Sequence, residues 1–260
     1  MASLPRFLKK YLFAAFSSLY LFTVGFWSAR HRVLLSQICE HFGLGKPKAR
    51  IPKIGNWDLL KGSTSVTLCE LGEWDGNVAI NELAIISFLV SKNSPKKVFE
   101  IGTFDGRTTL NIANNCASDA KVFTLDLPRK DLTATGLKVE DGDKKFVNKD
   151  QIGQRSLSAE NSKIIQLYGD SATFDWAPYN NAIDFLFIDG AHSYDYVIKD
   201  SLTALKIVKD KGLIAWHDYD NRFWPGLTTA LNELYSTRSE FKGLRHIEGT
   251  SIVFLQHTRQ

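Results

Sequence analysis

Residues 97–109 of this 260-residue chain read KVFEIGTFDGRTT, and they decide its fold. The stretch opens with a short β-rich segment that stops at Gly102, and a second glycine, Gly106, follows four positions later. Two glycines at this spacing let the backbone turn sharply and approach a ligand closely. Residues 107–117 then have helical spacing, so the free amides at the start of that helix would face the same place. The stretch predicts a strand, a ligand-binding turn and a helix.

Strands and helices alternate in the same way along most of the chain. We expect strands at residues 97–101, 122–125, 163–167, 183–188 and 212–216, helices at 79–91, 107–117, 194–209 and 225–235, and two strands in the tail at 244–256. This order predicts an α/β fold with a doubly wound, mostly parallel sheet that has helices on both faces. Ligands bind such sheets at the carboxyl ends of the strands, so the residues that follow each strand form the candidate site.

Polar residues follow each of the five expected parallel strands. Glu100 precedes the first turn, where it could hold a cationic or amine-bearing ligand. Asp126 stands 20 residues beyond Gly106, a position suited to accepting hydrogen bonds from a ribose diol. The other three strand ends carry Gly169 to Ala172, Asp189 with His192, and His217 with Asp218. Any one of these aspartates could simply cap a helix. Five consecutive polar strand ends favour a binding crevice instead.

Four segments resemble the motifs of class I S-adenosylmethionine-dependent methyltransferases. VFEIGTFDGRTTLNIA (98–113) resembles the first motif of that family and VFTLDLP (122–128) the second, while IDFLFIDGAHSYDYVIKD (183–200) and GLIAWHDY (212–219) resemble the segments after its fourth and fifth strands. From about Gly76 to Phe254 the chain is similar to the methyltransferase 24 family, which includes the macrocin- and cephalosporin-type small-molecule O-methyltransferases. The resemblance implies an S-adenosylmethionine-dependent enzyme.

The resemblance also implies a detailed arrangement of the sheet and the cofactor. The Rossmann-like sheet would have seven strands in the order 3-2-1-4-5-7-6, with the seventh antiparallel. Glu100 and Gly102 would face the methionine part of S-adenosylmethionine, and Asp126 would hold the ribose hydroxyls. Asp170, Ser171 and Ala172 would lie by the adenine. The full implied cofactor-binding set is Glu100, Gly102, Thr103, Phe104, Gly106, Thr108, Thr109, Asp126, Leu127, Asp170, Ser171, Ala172 and Asp189.

The expected reaction is methylation of a hydroxyl on a small-molecule, sugar or lipid-linked acceptor, with Asp189, His192 and His217 as catalytic residues. Metal-dependent relatives bind a divalent cation after strands four and five, where this chain has Asp189, His217 and Asp218. We expect Mg²⁺ or Mn²⁺ there. His217 departs from the carboxylate that relatives often have, and imidazole suits softer metals than magnesium. The alternative is a histidine that acts as a general base without a metal.

Two other functions fit the sequence less well. A nicotinamide-dependent oxidoreductase would be expected to carry three glycines in its first turn, and this turn has two. A degenerate methyltransferase fold could serve as a binding subunit, since fold alone does not fix function. The intact polar residues at the strand ends argue against degeneration.

The N-terminal segment accounts for the net charge of +4. Residues 1–40 hold five basic side chains and one acidic one, so the other 220 residues are neutral, which argues against a nucleic-acid partner. Residues 11–29, YLFAAFSSLYLFTVGFWSA, carry no charge and approach the length of a bilayer span. We expect membrane contact through residues 8–29. If the segment spans a membrane, the catalytic body should lie on the cytoplasmic side, because more basic residues follow the segment than precede it. A buried helix and a transit peptide are the alternatives.

The expected organisation has three parts: an N-terminal helical segment at 1–42, a linker at 43–62, and a methyltransferase domain at 63–260. The polar stretch at 128–163 is expected to be an insertion or lid, because loops of this length inside a domain are usually functional. Three cysteines without a CxxC pair exclude a disulfide framework and a zinc ribbon, and they fit a reducing compartment. We also expect a homo-oligomer.

Overall fold

A computed structural model describes residues 3–28, 31–32, 34–35, 38–39, 47–55, 58, 64–149, 151–159 and 161–259. The chain divides into two compact units, Met1–Pro47 and Lys48–Gln260. This division falls within the linker that the sequence predicts at 43–62. Residues 47–55 and 58 of that linker are described, and its other residues lie outside the described part of the chain.

The N-terminal unit contains helix α1, Ser3–Phe22, followed by a 3₁₀ turn at Val24–Trp27. The apolar stretch at 11–29 is therefore not one continuous helix, and its last residue lies outside the described residues. Helix α1 covers residues 11–22 of this stretch, which is a length of about 18 Å. Within the described ranges, no helix combines the length and the apolar character needed to cross a membrane.

The second unit is built on one sheet of eight strands. They are β1 Lys53–Ile54, β2 Lys97–Ile101, β3 Lys121–Asp126, β4 Ile164–Tyr168, β5 Ile183–Ile188, β6 Val208–Trp216, β7 Arg245–Ile247 and β8 Val253–Gln256. Their order is β1-β7-β8-β6-β5-β2-β3-β4. Strand β8 is antiparallel to both of its neighbours, and every other pair is parallel. The α/β fold and the implied order, with its antiparallel C-terminal hairpin, are confirmed.

The sheet has one strand more than the seven that the resemblance implies. The extra strand, β1, lies inside the predicted linker and pairs with β7 at the sheet edge. His246 donates its backbone N–H to Pro52 O at 2.9 Å, and Glu248 donates to Ile54 O at 2.9 Å. Two residues are too few for a β pattern to show in the sequence. The available edge of β7, rather than local propensity, makes this segment a strand.

Helices cover both faces of the sheet. They are α2 Ile80–Asn93, α3 Arg107–Asn115, α4 Asp141–Val147, α5 Gln154–Ser158, α6 Tyr194–Ile207 and α7 Pro225–Thr237. Because side chains alternate along a strand, Phe99 and Ile101 pack in the core on the α6 and α7 side, whereas Val98 packs in the core on the α2 and α3 side. Glu100 therefore points to the α3 side.

The predicted insertion, residues 128–163, contains helices α4 and α5 and a 3₁₀ turn at Arg129–Asp131. Gly153 donates its N–H to Phe104 O at 2.8 Å, and Arg155 donates to Asp105 O at 2.7 Å. The insertion thus packs directly on the turn that follows β2.

Candidate active site

Two glycines let the loops around the turn after β2 approach one another. A Cβ atom on Gly102, where φ is +98°, would lie 2.0 Å from the carbonyl oxygen of Asp189. A Cβ atom on Gly106, where φ is +84°, would lie 2.2 Å from Ser156 Oγ in α5. Larger residues would therefore separate the β2 turn from the end of β5 and from the insertion. The positive φ values and the close contacts explain both glycines of the sequence motif.

Glu100 is fully buried beneath this turn. Its Oε2 atom accepts hydrogen bonds from Thr109 Oγ1 and, at 2.6 Å, from Thr124 Oγ1. Its Oε1 atom has no hydrogen-bond partner among the residues that the structure describes. Burial raises the pKa of Glu100 to about 8. Once Glu100 is ionised, Oε1 is an unpaired acceptor, which fits the amine-bearing end of S-adenosylmethionine, because a nearby positive charge favours the carboxylate and a buried polar atom without a partner is costly.

Asp126 lies at the end of β3 and is fixed by three donors. Its Oδ2 accepts from Phe104 N and from Lys149 Nζ, both at 2.7 Å, and its Oδ1 accepts from Leu127 N at 2.8 Å. Burial raises the pKa of this carboxyl, although Lys149 opposes the change. A fixed carboxylate suits a ribose diol. Lys149 belongs to the insertion, so the insertion already holds the acceptor that the ribose would use.

The residues that follow β4 form hydrogen bonds both with α6 and with the insertion. Asp170 Oδ1 accepts from Ala172 N at 2.9 Å and from Tyr196 Oη at 2.8 Å, and its Oδ2 accepts from Gly136 N of the insertion at 2.7 Å. Ser171 Oγ donates to Asp200 Oδ2 at 3.2 Å. The residues expected beside the adenine therefore form one group with α6 and with the insertion.

The ends of β5 and β6 bring Asp189, His192, His217 and Asp218 together. His217 Nδ1 lies 3.2 Å from Asp189 Oδ1 and 3.4 Å from Asp218 Oδ2. His192 Nε2 lies 3.0 Å from Asp218 Oδ2. This nitrogen, His192 Nε2, is nevertheless not aligned for a hydrogen bond with any described residue. The sequence placed all four residues at one crevice, and the structure brings them into contact.

Charge dominates the pKa values in this cluster. Burial alone would lower the pKa of His192, but the carboxylates of Asp143 and Asp218 outweigh it and raise the value to about 9. Burial likewise opposes protonation of His217, yet Asp189 and Asp218 hold its pKa well above the usual range. Burial would raise the pKa of Asp218, but the two histidines hold it far below its ordinary value. Both imidazoles are therefore in the cationic form, protonated at both ring nitrogens, at neutral pH when no metal cation is bound.

Three residues of this centre were missed by the sequence reasoning. Glu82 in α2 places Oε2 2.9 Å from His217 Nε2, while its Oε1 accepts from Ser251 Oγ at 2.8 Å. Asp143 in α4 contacts His192, and the ring of Trp224 stacks on that histidine at 4.0 Å. An acidic residue within an apolar helix was the available signal for Glu82. The polar stretch around Asp143 carried none.

The positions of the possible metal-ligand atoms favour His192 as the third metal ligand, whereas the resemblance implied His217. Asp189, His192 and Asp218 each offer one ligand atom, and these atoms lie within 4.8 Å of one another. His217 instead has Glu82 at one nitrogen and the two aspartates at the other. His192 Nε2, which lies 3.0 Å from Asp218 Oδ2, and the two carboxylates fit a divalent cation that accepts mixed nitrogen and oxygen ligands.

Comparison with known proteins identifies the class of enzyme to which this chain is similar. Residues 99–219 match the methyltransferase 24 family model, which is described as a methyltransferase domain. The chain is an S-adenosylmethionine-dependent methyltransferase. The catechol O-methyltransferase B of Danio rerio is 24% identical to this enzyme over 221 residues, which are 82% of this chain and 70% of the relative. The flavonoid 3',5'-methyltransferase of Vitis vinifera is 27% identical over 189 residues, with coverage of 72% and 74%.

Solved structures show the same fold. The SAH-bound methyltransferase PaMTH1 of Podospora anserina has a TM-score of 0.52 and 14% identity, covering 71% of this methyltransferase and 81% of that chain. The predicted enzyme class, an S-adenosylmethionine-dependent methyltransferase, is confirmed, and neither the oxidoreductase nor the degenerate subunit is favoured. The individual roles of the site residues stay predictions.

Proposed function

We propose that this enzyme transfers the methyl group of S-adenosylmethionine to a hydroxyl oxygen of a small-molecule, sugar or lipid-linked acceptor. The observation that carries the proposal is the contact cluster of Asp189, His192, His217 and Asp218 beside the Gly102 turn. When bound, the cofactor supplies a methyl group on a sulfonium. Alignment of the two reactants then contributes much of the rate, because positioned reactants avoid a large entropic cost.

The acceptor class can be tested directly with methyl-labelled S-adenosylmethionine. The relatives are named for catechols and flavonoids, so a panel of such hydroxyl compounds, together with sugars and lipid extracts, is the starting set. Label should appear on a hydroxyl oxygen of one of these compounds. Label found only on protein lysines or on nucleic acid would refute the proposal.

Asp126 is proposed to hold the ribose hydroxyls. Asp126→Ala should weaken S-adenosylmethionine binding by roughly 1.5–3 kcal/mol, because hydrogen bonds to a charged group are lost. The loss should lie toward the lower end, since the cofactor must also displace or accommodate Lys149 at the same carboxylate. Titration calorimetry measures the change. Asp119→Ala, which removes an exposed carboxylate paired with Lys96, is the matched control. Wild-type affinity in Asp126→Ala would show that the ribose assignment is wrong.

We propose further that a divalent cation lies at Asp189 and Asp218, with His192 rather than His217 as the third protein ligand. Held there, a cation would polarise the acceptor oxygen and lower the pKa of its hydroxyl, so that the proton would pass to solvent as the methyl group leaves the sulfonium. The protein's part is to gather two carboxylates and an imidazole and to hold them in a largely buried crevice. The raised pKa values of both histidines argue against an unaided base, because a protonated imidazole cannot accept another proton.

Chelation separates the two mechanisms. With a cation, chelator should abolish methyl transfer, and Mn²⁺ should restore it at least as well as Mg²⁺ because imidazole is a ligand. With a histidine base, activity should survive chelator. It should then rise with pH toward the pKa of about 9 that His192 has in this cluster, since only the neutral ring accepts a proton. Full activity in a metal-free preparation would refute the cation.

The N-terminal unit is proposed to contact a membrane surface through residues 8–29. Helix α1 exposes Phe13 at 75% and Phe16 at 69%, and Trp27 beyond it is 82% exposed. Lys9 and Lys10 lie exposed near the start of the same helix. Apolar side chains beside lysines are typical of helices that lie in the membrane interface. Association into a homo-oligomer would be the other way to cover these side chains.

A further inference from the structure

One carboxylate of the insertion holds both the ring and the backbone of His192. Asp143 lies in the first turn of α4, and its side chain is almost fully buried. Its Oδ1 atom is 2.5 Å from His192 Nδ1, and its Oδ2 atom accepts the backbone N–H of His192 at 3.0 Å. Asp143 and His192 are 49 residues apart in the sequence. This double contact is therefore a tertiary arrangement and not a local cap.

The other parts of the imidazole are restrained as well. Trp224 stacks on the ring with a centroid distance of 4.0 Å and an interplanar angle of 13°. Gly142, next to Asp143, leaves room for that indole, because a Cβ atom there would lie 2.7 Å from Trp224 Cη2. Nε2 faces Asp218 Oδ2 at 3.0 Å without hydrogen-bond alignment to any described residue. The ring thus has one nitrogen held and one nitrogen presented to the crevice.

We infer that Asp143 is a positioning residue, which fixes the ring of His192 so that Nε2 faces the carboxylates of Asp189 and Asp218. The inference rests on the proposed function where it concerns the cation. A carboxylate behind a ligand imidazole fixes the ring orientation and raises its basicity, and its loss typically costs about 10–100-fold in metal affinity. The insertion then supplies part of the reaction centre and does more than cover it.

A purely structural role makes a different prediction. If Asp143 served only to anchor α4 to the body of the domain, its removal would lower stability. It would leave the behaviour of the presented nitrogen unchanged. The stacking by Trp224 would then suffice to hold the ring. The two roles differ in the properties of His192 and not in the stability of the protein.

The test is Asp143→Asn in the full chain, titrated with Mn²⁺ and followed by electron paramagnetic resonance without any acceptor. Asn keeps the size of the side chain but has a single acceptor oxygen, so it presents an amide N–H at one of the two places where Asp143 contacts His192. We expect Mn²⁺ binding to weaken about 10–100-fold. Asp141→Asn is the matched control, because Asp141 lies in the same first turn, is 95% exposed and pairs with Lys144. S-adenosylmethionine affinity, measured by calorimetry, should be unchanged in both variants.

Wild-type Mn²⁺ affinity in Asp143→Asn, with or without a lower unfolding temperature, would overturn the inference. If the wild type itself binds no Mn²⁺, the cation proposal fails, and nuclear magnetic resonance of labelled histidine decides the role of Asp143 alone. The readout is the set of nuclear Overhauser contacts between the ring of His192 and the indole of Trp224, which stack at 4.0 Å. The inference stands if Asp143→Asn weakens these contacts while Asp141→Asn keeps them, and it falls if the ring stays stacked in Asp143→Asn.

Discussion

At the scale of single residues, buried contacts of Tyr219 stabilise a strained backbone in the reaction centre. Asp218 has φ of +63° and Asp220 has φ of +60°, values that cost roughly 1–2 kcal/mol for residues with a Cβ atom. Tyr219 between them is fully buried and donates its backbone N–H to Ser251 O at 2.9 Å. Its hydroxyl donates to Asn232 Oδ1 at 2.7 Å. These contacts hold Asp218 toward the crevice, which local sequence alone would not do.

Glu100 gives a prediction at the same scale, about stability and pH. Folding raises the pKa of its carboxyl from an ordinary 4.5 to about 8, so the native state keeps a proton that the unfolded state loses in between. The Glu100 contribution to the unfolding free energy should therefore fall as pH rises through this range, by up to about 1.4 kcal/mol per pH unit. Glu100→Gln cannot ionise and should show no such fall.

Chemical denaturation of both proteins at several pH values measures this difference. The stability of Glu100→Gln relative to wild type should increase steadily with pH and level off above about 8. Glu248→Gln, at an exposed position, is the control and should track the wild type. A constant difference between Glu100→Gln and wild type would mean that Glu100 is already ionised in the native state.

At the scale of elements, the sequence predicts best where periodicity and burial coincide. Strands β2 and β5 have the expected bounds, because their apolar residues are buried on both faces. The helix expected at 194–209 ends instead at Ile207, since Val208 pairs with Ile183 and opens β6. The short helices of the insertion carried no pattern, because tertiary contacts and not amphipathic spacing stabilise them.

The candidate site was predictable for the same reason that the sheet was. Parallel strands end at one edge, so the four residues after β5 and β6 had to converge. The sequence could not show which histidine turns toward the aspartates a ring nitrogen that lacks an aligned hydrogen bond. That depends on Glu82 and Asp143, which reach His217 and His192 from α2 and from the insertion. Sequence distance hid both partners, although each contact is close in space.

At the scale of the whole molecule, charge and apolar exposure are concentrated in the N-terminal unit. The net charge of +4 arises within the first 40 residues. Many of the large apolar side chains that are exposed lie between Phe7 and Trp27. Exposed apolar patches of this kind mark interaction surfaces in folded proteins. The other 220 residues have no net charge, so the segment suited to an anionic surface is the N-terminal one.

A vesicle flotation experiment tests this last prediction with the full chain. The protein should float with vesicles containing phosphatidylserine, and Phe13→Asp combined with Phe16→Asp should reduce binding about 100-fold or more, because each buried phenylalanine contributes roughly 1.5–3 kcal/mol. Leu71→Asp, at a side chain 61% exposed in the catalytic unit, is the matched control. High salt should weaken binding, since each lysine near the surface contributes about 1 kcal/mol. Absence of flotation, together with a multiple of the 29.3 kDa chain mass in light scattering, would assign the apolar side chains to a homo-oligomer instead.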